Sequence, residues 1–144
     1  MKKIFSLLLF VSLLQAATPQ ANVTAVFSKK VKESYRFGVT LKSDETGCDQ
    51  YADWWEILNE EGHLLYRRIL IHSHPDTQPF TRWGSSFEVK EDQTLYIRAH
   101  MNKLGYEGDV FKGSIIQGFK KAKEIPDFNQ SIETQTPLPQ GCLY

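Results

Sequence analysis

The chain has 144 residues, with 17 Lys and Arg against 17 Asp and Glu, and 41% of it is hydrophobic. That length suits one folded domain with a real core. A chain with no excess of cations lacks the basic surface that nonspecific nucleic-acid binding needs.

Residues 1–16 read as a secretory leader. Lys2 and Lys3 precede an apolar run over residues 4–14, and Ala16 supplies the small residue at a cleavage point. The run is too short for a permanent helix across a bilayer, which takes roughly 20 residues. Cleavage after Ala16 is expected, with Ala21 as the second choice. No cysteine follows the apolar run directly, so no lipid attachment is expected there. Removing the leader leaves about 128 residues, with 15 cations against 17 acids. No later run has membrane length, so no stable anchor is expected after cleavage. The location expected is the periplasm or the exterior.

Strand signals follow at regular intervals and helix signals are scarce. Residues 23–27 form a short β-branched and aromatic run. Residues 35–41 alternate apolar and polar, the pattern of a half-buried strand. Residues 51–58 are aromatic-rich. A turn at residues 59–62 leads into a second arm over 63–71. Residues 86–89 are a short candidate, residues 94–100 alternate again, and residues 110–116 close the set. About seven strands joined by Gly, Asn and Asp turns predict an all-β fold over residues 22–118. The expected form is an antiparallel β-sandwich of immunoglobulin or fibronectin type III order. Trp54 and Trp55 fall on its third strand, where one should face the core and one outward. Phe37, Val39, Leu41, Ile57, Leu95, Ile97 and Ala99 are the rest of the expected core. Residues 119–144 read as a polar C-terminal tail.

The chain has two cysteines, Cys48 and Cys142. In an oxidising compartment an even pair suggests one disulfide, worth about 4 kcal/mol for so long a loop. Free thiols and an intermolecular bridge are the alternatives.

The predicted order brings the second-to-third strand loop, the end of the fourth strand and the end of the sixth to one pole. Asp44, Glu45, Asp49, Asp53, His72, His74, His100 and Asp109 gather there, while His63 goes to the other end. His72 and His74 are two apart, so on an extended strand their rings share a face. His72, His74 and His100 with Asp44, Asp49 and Asp53 are therefore a candidate metal site. Mixed nitrogen and carboxylate ligands suit zinc, copper or nickel better than calcium. Two other readings stand beside it: a structural polar network, and a binding surface that uses the same loops without metal. Pro75 and Pro79 stiffen the connection after His74. Arg82 is placed to pair with a loop carboxylate, Phe80 to plug the core, and one of Arg67 and Arg68 to be solvated.

Residues 44–55 (D-x-T-G-C-D-x-Y-A-D-W-W), 72–82 (H-S-H-P-D-T-Q-P-F-T-R) and 97–100 (I-R-A-H) resemble a group of small secreted or periplasmic bacterial β-rich proteins. The motifs shared are D-x-Y-A-D, H-x-H-x-x-x-Q-P-F-T-R and R-A-H. Cys48 stands where that group has tryptophan, and Ser73 where it has proline. The resemblance implies an envelope location and a β-rich fold, and no activity comes with it. Gly84-Ser85-Ser86 is no nucleophile elbow, and zinc-protease, phosphate-loop and dinucleotide motifs are missing. No catalytic residue is assigned, so an enzyme is not expected. The functional expectation is a non-enzymatic envelope module whose His/Asp-rich pole binds a divalent metal. The alternative is a protein–protein interaction module that engages an envelope protein through the same loops.

Overall fold

The computed structural model describes residues 16–143. The leader expected over residues 1–16 lies almost wholly outside them. Eight strands run in chain order: β1 (Ala21–Val31), β2 (Ser34–Ser43), β3 (Ala52–Leu58), β4 (Leu64–Ile69), β5 (Phe80–Trp83), β6 (Leu95–Met101), β7 (Phe111–Ser114) and β8 (Gly118–Lys121). They form two antiparallel sheets, ordered β1-β2-β5 and β4-β3-β6-β7-β8. The fold is the all-β sandwich expected, in fibronectin type III order with one strand added at the β8 edge.

Alternation builds the core. Phe37, Val39 and Leu41 of β2 point inward and are fully buried, as are Trp55 and Ile57 of β3 and Leu95 and Ile97 of β6. Apolar surface removed from water contributes about 25 cal/mol per Å², so these side chains hold the two sheets together. Gly62 has a φ of 79°, and it turns the chain between β3 and β4. Within β1 the register slips between Val23 and Ala25. That bulge adds one residue and changes which side chains of the strand face outward.

Two expectations needed correcting. The fifth strand is Phe80–Trp83, not residues 86–89. Phe80 faces the core and pairs with Leu41, while Phe87 only bridges to Tyr35. The sequence there predicts a proline-stiffened connection. Proline needs no partner at the first position before a strand, so Pro79 does not prevent Phe80 from starting one.

The chain after residue 118 does not leave the domain. β8 pairs with β7, and a short 3-10 turn (Gln130–Thr134) follows. Phe128 and Ile132 are buried with Leu58, Tyr96 and Val110 in a second apolar cluster. This segment covers the outer face of β3, β4 and β6. Trp54 faces outward as expected of one tryptophan, yet it is only 3% exposed because the segment lies over it.

One of the two neighbouring arginines is solvated, as expected. Arg67 is the buried one, and its guanidinium pairs with Glu56. Arg68 lies at the surface and donates to the Trp83 carbonyl at 3.2 Å.

Candidate functional site

Glu45 organises the pole. Its Oε1 accepts from the Ser43 hydroxyl at 2.6 Å and from the Ala52 N–H at 3.3 Å. Its Oε2 accepts from the Ser73 hydroxyl at 3.0 Å and from the His74 N–H. Gln78 adds a second clamp. It accepts from the Ser43 N–H at 2.9 Å and donates to the Ser43 hydroxyl at 3.2 Å and the His74 carbonyl at 3.0 Å. A buried carboxylate that accepts four hydrogen bonds is well compensated for its lost water. The loop over residues 71–77 is thereby fixed to β2. Ile71, His72, Pro75, Asp76 and Thr77 remain exposed on it.

His74 is the buried member of the pair. Its ring stacks on Phe80 with centroids 4.1 Å apart. The Arg82 guanidinium lies 2.5 Å from its Nε2, so that nitrogen is the acceptor. Arg82 thus meets a histidine and not the loop carboxylate expected. Burial pushes the His74 pKa below its usual value, and the Arg82 charge adds to the effect. Its Nδ1 is buried with no hydrogen-bond partner and lies 4.0 Å from Glu45 Oε2. The His72 ring is 4.6 Å away, centroid to centroid.

His100 belongs to a different cluster. It faces outward from β6, and its ring lies flat on Trp54 at 3.6 Å. Its Nδ1 is 2.6 Å from Asp53 and its Nε2 is 2.8 Å from Glu133 of the C-terminal segment. A neutral ring carries one N–H and could serve only one of these contacts as donor. Burial raises the Asp53 pKa, against the opposing pull of His100.

Beside this cluster runs a row that sequence reasoning missed. Register places Arg67 of β4, Glu56 of β3 and Arg98 of β6 side by side. Glu56 is fully buried. Its Oε2 accepts from Arg67 Nε at 2.8 Å and from the Trp54 indole at 3.1 Å, and its Oε1 from Arg98 Nε at 2.8 Å. Arg67 also donates to the carbonyls of Ile132 at 2.7 Å, Gln135 at 2.6 Å and Pro137 at 3.2 Å. Tyr106 lies under Arg98, whose guanidinium carbon is 3.5 Å from the ring centre. Burial and the nearby Glu56 push the Tyr106 hydroxyl pKa far up, so it stays protonated. The signal was there: a lone Glu56 inside the apolar run Trp54-Trp55-Glu56-Ile57-Leu58 needs a compensating partner if it is buried.

The six residues of the proposed metal site therefore do not converge. Asp53 and His100 meet, and His72 and His74 meet, but as separate pairs. Asp44 accepts from the Gln20 N–H at 2.9 Å, and Asp49 is fully exposed with Lys103 at 3.6 Å. Among the described residues, no group of three or more His, Cys, Asp or Glu is arranged to hold a metal ion. The physical reason is that the rings point to separate partners, and three of their six nitrogens are already engaged. Both nitrogens of His100 face carboxylates, and Nε2 of His74 faces a cation. The Cys48–Cys142 disulfide is formed and ties the C-terminal segment to the pole.

No family model and no solved structure matches the chain. The chain is similar to a protein of Halomicrobium mukohataei described as "Putative lipoprotein", at 41% identity over 93 residues. The match covers 63% of this chain and 45% of that protein, so the chain spans less than half the relative's length. Among the described residues no helix is long and apolar enough to cross a membrane.

Proposed function

We propose that the chain is a non-enzymatic binding module of the cell envelope that presents the loop over residues 71–77 to a protein partner. The observation that carries this reading is the clamp. Glu45, Ser43 and Gln78 hold an exposed loop of Ile71, His72, Pro75, Asp76 and Thr77 in one conformation. A loop fixed before binding loses less entropy on binding. The envelope location is supported by the leader-like residues 1–16 and by the relative's description. It is further supported by the disulfide, since such bonds persist in oxidising compartments. Cleavage after Ala16 fits this reading better than cleavage after Ala21, because Ala21 is buried in β1 and its N–H donates to Glu107.

The test is site-specific photocrosslinking in the native envelope, with the reactive group at Asp76 and a control at Glu60 in the far turn. A discrete adduct from position 76, absent from position 60 and lost in Glu45→Ala, is expected. No adduct, or the same adduct from both positions, ends the interaction reading. The metal reading is the competitor, supported by the neighbouring His72 and His74 rings and the unpartnered Nδ1. Stoichiometric zinc, copper or nickel binding that His72→Ala abolishes would replace one reading with the other.

A further inference from the structure

The outer face of the three-stranded sheet is used by nothing described so far. Phe27, Gly38 and Trp83 stand side by side across β1, β2 and β5. Trp83 does not project from the sheet. Its indole lies down over Gly38, where an added Cβ would come within 2.6 Å of the ring. Phe27 lies beside it, with centroids 6.5 Å apart and planes tilted by only 28°. The two rings make a flat platform, with Phe27 50% and Trp83 37% exposed. A globular protein seldom leaves two large rings together at its surface without a use for them.

The charged strand positions on this face are of one sign. Register puts Lys29, Arg36 and Lys42 on this same face, with Arg36 5.3 Å from the Trp83 ring centre. Arg36 Nε is buried and has no hydrogen-bond partner. At the positions of β1, β2 and β5 that share this face there is no Asp or Glu. The whole chain is balanced at 17 cations and 17 acids, so this face departs from the rest of the surface.

From these observations we infer that the face binds an acidic polysaccharide chain. A pyranose ring presents a face of C–H groups that packs on a flat aromatic ring and a rim of polar groups that reaches past it. Phe27 and Trp83 supply a surface for adjoining sugar rings, and the three cations meet carboxylates at the rim. Lipid fits less well. Insertion into a bilayer needs rings that project, and the indole here lies flat against the backbone. The inference is independent of the loop proposed above to meet a protein.

The probe is a hexamer of galacturonic acid titrated into the full mature chain at low salt. Trp83 is the exposed tryptophan, since Trp54 and Trp55 are buried, so binding reads out as a change in tryptophan fluorescence. Trp83→Ala is expected to weaken binding at least tenfold by calorimetry. Lys29→Gln with Arg36→Gln should weaken it by a similar factor and flatten its dependence on salt. Gly38→Ala must lift the indole off the sheet, so it should weaken binding with both rings still present. The melting temperature of each variant shows that it is folded, and Trp83→Phe should keep most of the affinity. Four results would overturn the inference. These are no binding of the hexamer, binding indifferent to Trp83→Ala, equal binding of a neutral glucose hexamer, and stronger binding of phosphatidylglycerol vesicles or an oligonucleotide.

Discussion

Glu56 sits where no water reaches it, and two arginines pair with it. Removing one partner from such a group leaves the others buried and uncompensated, which costs about 3–5 kcal/mol. Glu56→Gln keeps the side-chain shape and removes the charge, so its cost measures the charge itself. Urea unfolding should show a loss in that range, and a loss under about 1 kcal/mol would mean that Arg67 and Arg98 reach solvent. Replacing all three residues with apolar ones would not be neutral here, because Arg67 also holds three carbonyls of the C-terminal segment. His74 makes the pH prediction. Its folded-state pKa lies below the reference value of 6.5, because burial and Arg82 disfavour the charged ring. As pH falls through 6.5 the unfolded chain takes up a proton that the folded chain refuses. Stability from this group is therefore full above 6.5 and is lost progressively below it. Asp53 acts the other way, from a lower reference value. Its raised pKa gives a contribution that is full below its reference value of 3.8 and is lost as pH rises through the folded value. Melting curves from pH 7.5 to 5.5 should show a decline in the wild type and a shallower one in His74→Gln. Equal slopes would mean that the ring titrates as a solvated one. The separate roles of His74 and His100 were not legible in the sequence. Residue type and spacing bring both to one pole, but the direction in which each ring points depends on which face of its strand it occupies.

At the scale of elements, the C-terminal segment is the part whose role composition concealed. Few large apolar residues follow Phe119, and the stretch reads as a tail for that reason. The two that matter, Phe128 and Ile132, need only reach the cluster of Leu58, Tyr96 and Val110 to fix the whole segment. Ile132→Ala should cost about 2–5 kcal/mol, the range for a fully buried side chain. A loss at or below the level of an exposed substitution would show that the segment is held by Arg67 and the disulfide alone. The strands were more legible than the segment. Residues 35–41 and 94–100 alternate cleanly, and their inward sets are the observed core. Phe37→Ala or Ile97→Ala should cost about 2–5 kcal/mol for the same reason as Ile132→Ala. β5 was missed because Phe80-Thr81-Arg82-Trp83 is too short to show a period. Its place is set by pairing with Leu41 through Gly38, which is a tertiary fact.

For the molecule as a whole, one covalent bond joins what the two sheets do not. Cys48 sits in the loop between β2 and β3, and Cys142 lies 94 residues further on, at the end of the C-terminal segment. Beside it, the Leu143 N–H donates to the Ile71 carbonyl at 2.5 Å, next to the exposed loop. The bond therefore does two things. It restricts the unfolded chain over almost the whole domain, and it holds the segment over Trp54, His100 and Arg67. The first effect is global and the second is local, and they can be measured apart. Cys48→Ala with Cys142→Ala should lower stability by about 2–5 kcal/mol in equilibrium unfolding. Hydrogen exchange should also quicken over residues 128–143, where opening no longer needs the whole fold to open, while Val39 and Ile97 keep their protection. Combining the pair with Ile132→Ala should cost more than the two losses added together. Each change removes a restraint that the other variant still relies on, and coupled sites are not additive. Simple additivity would show that the segment docks as two independent pieces. A loss of stability with exchange over residues 128–143 unchanged would show that the disulfide acts on the unfolded chain only.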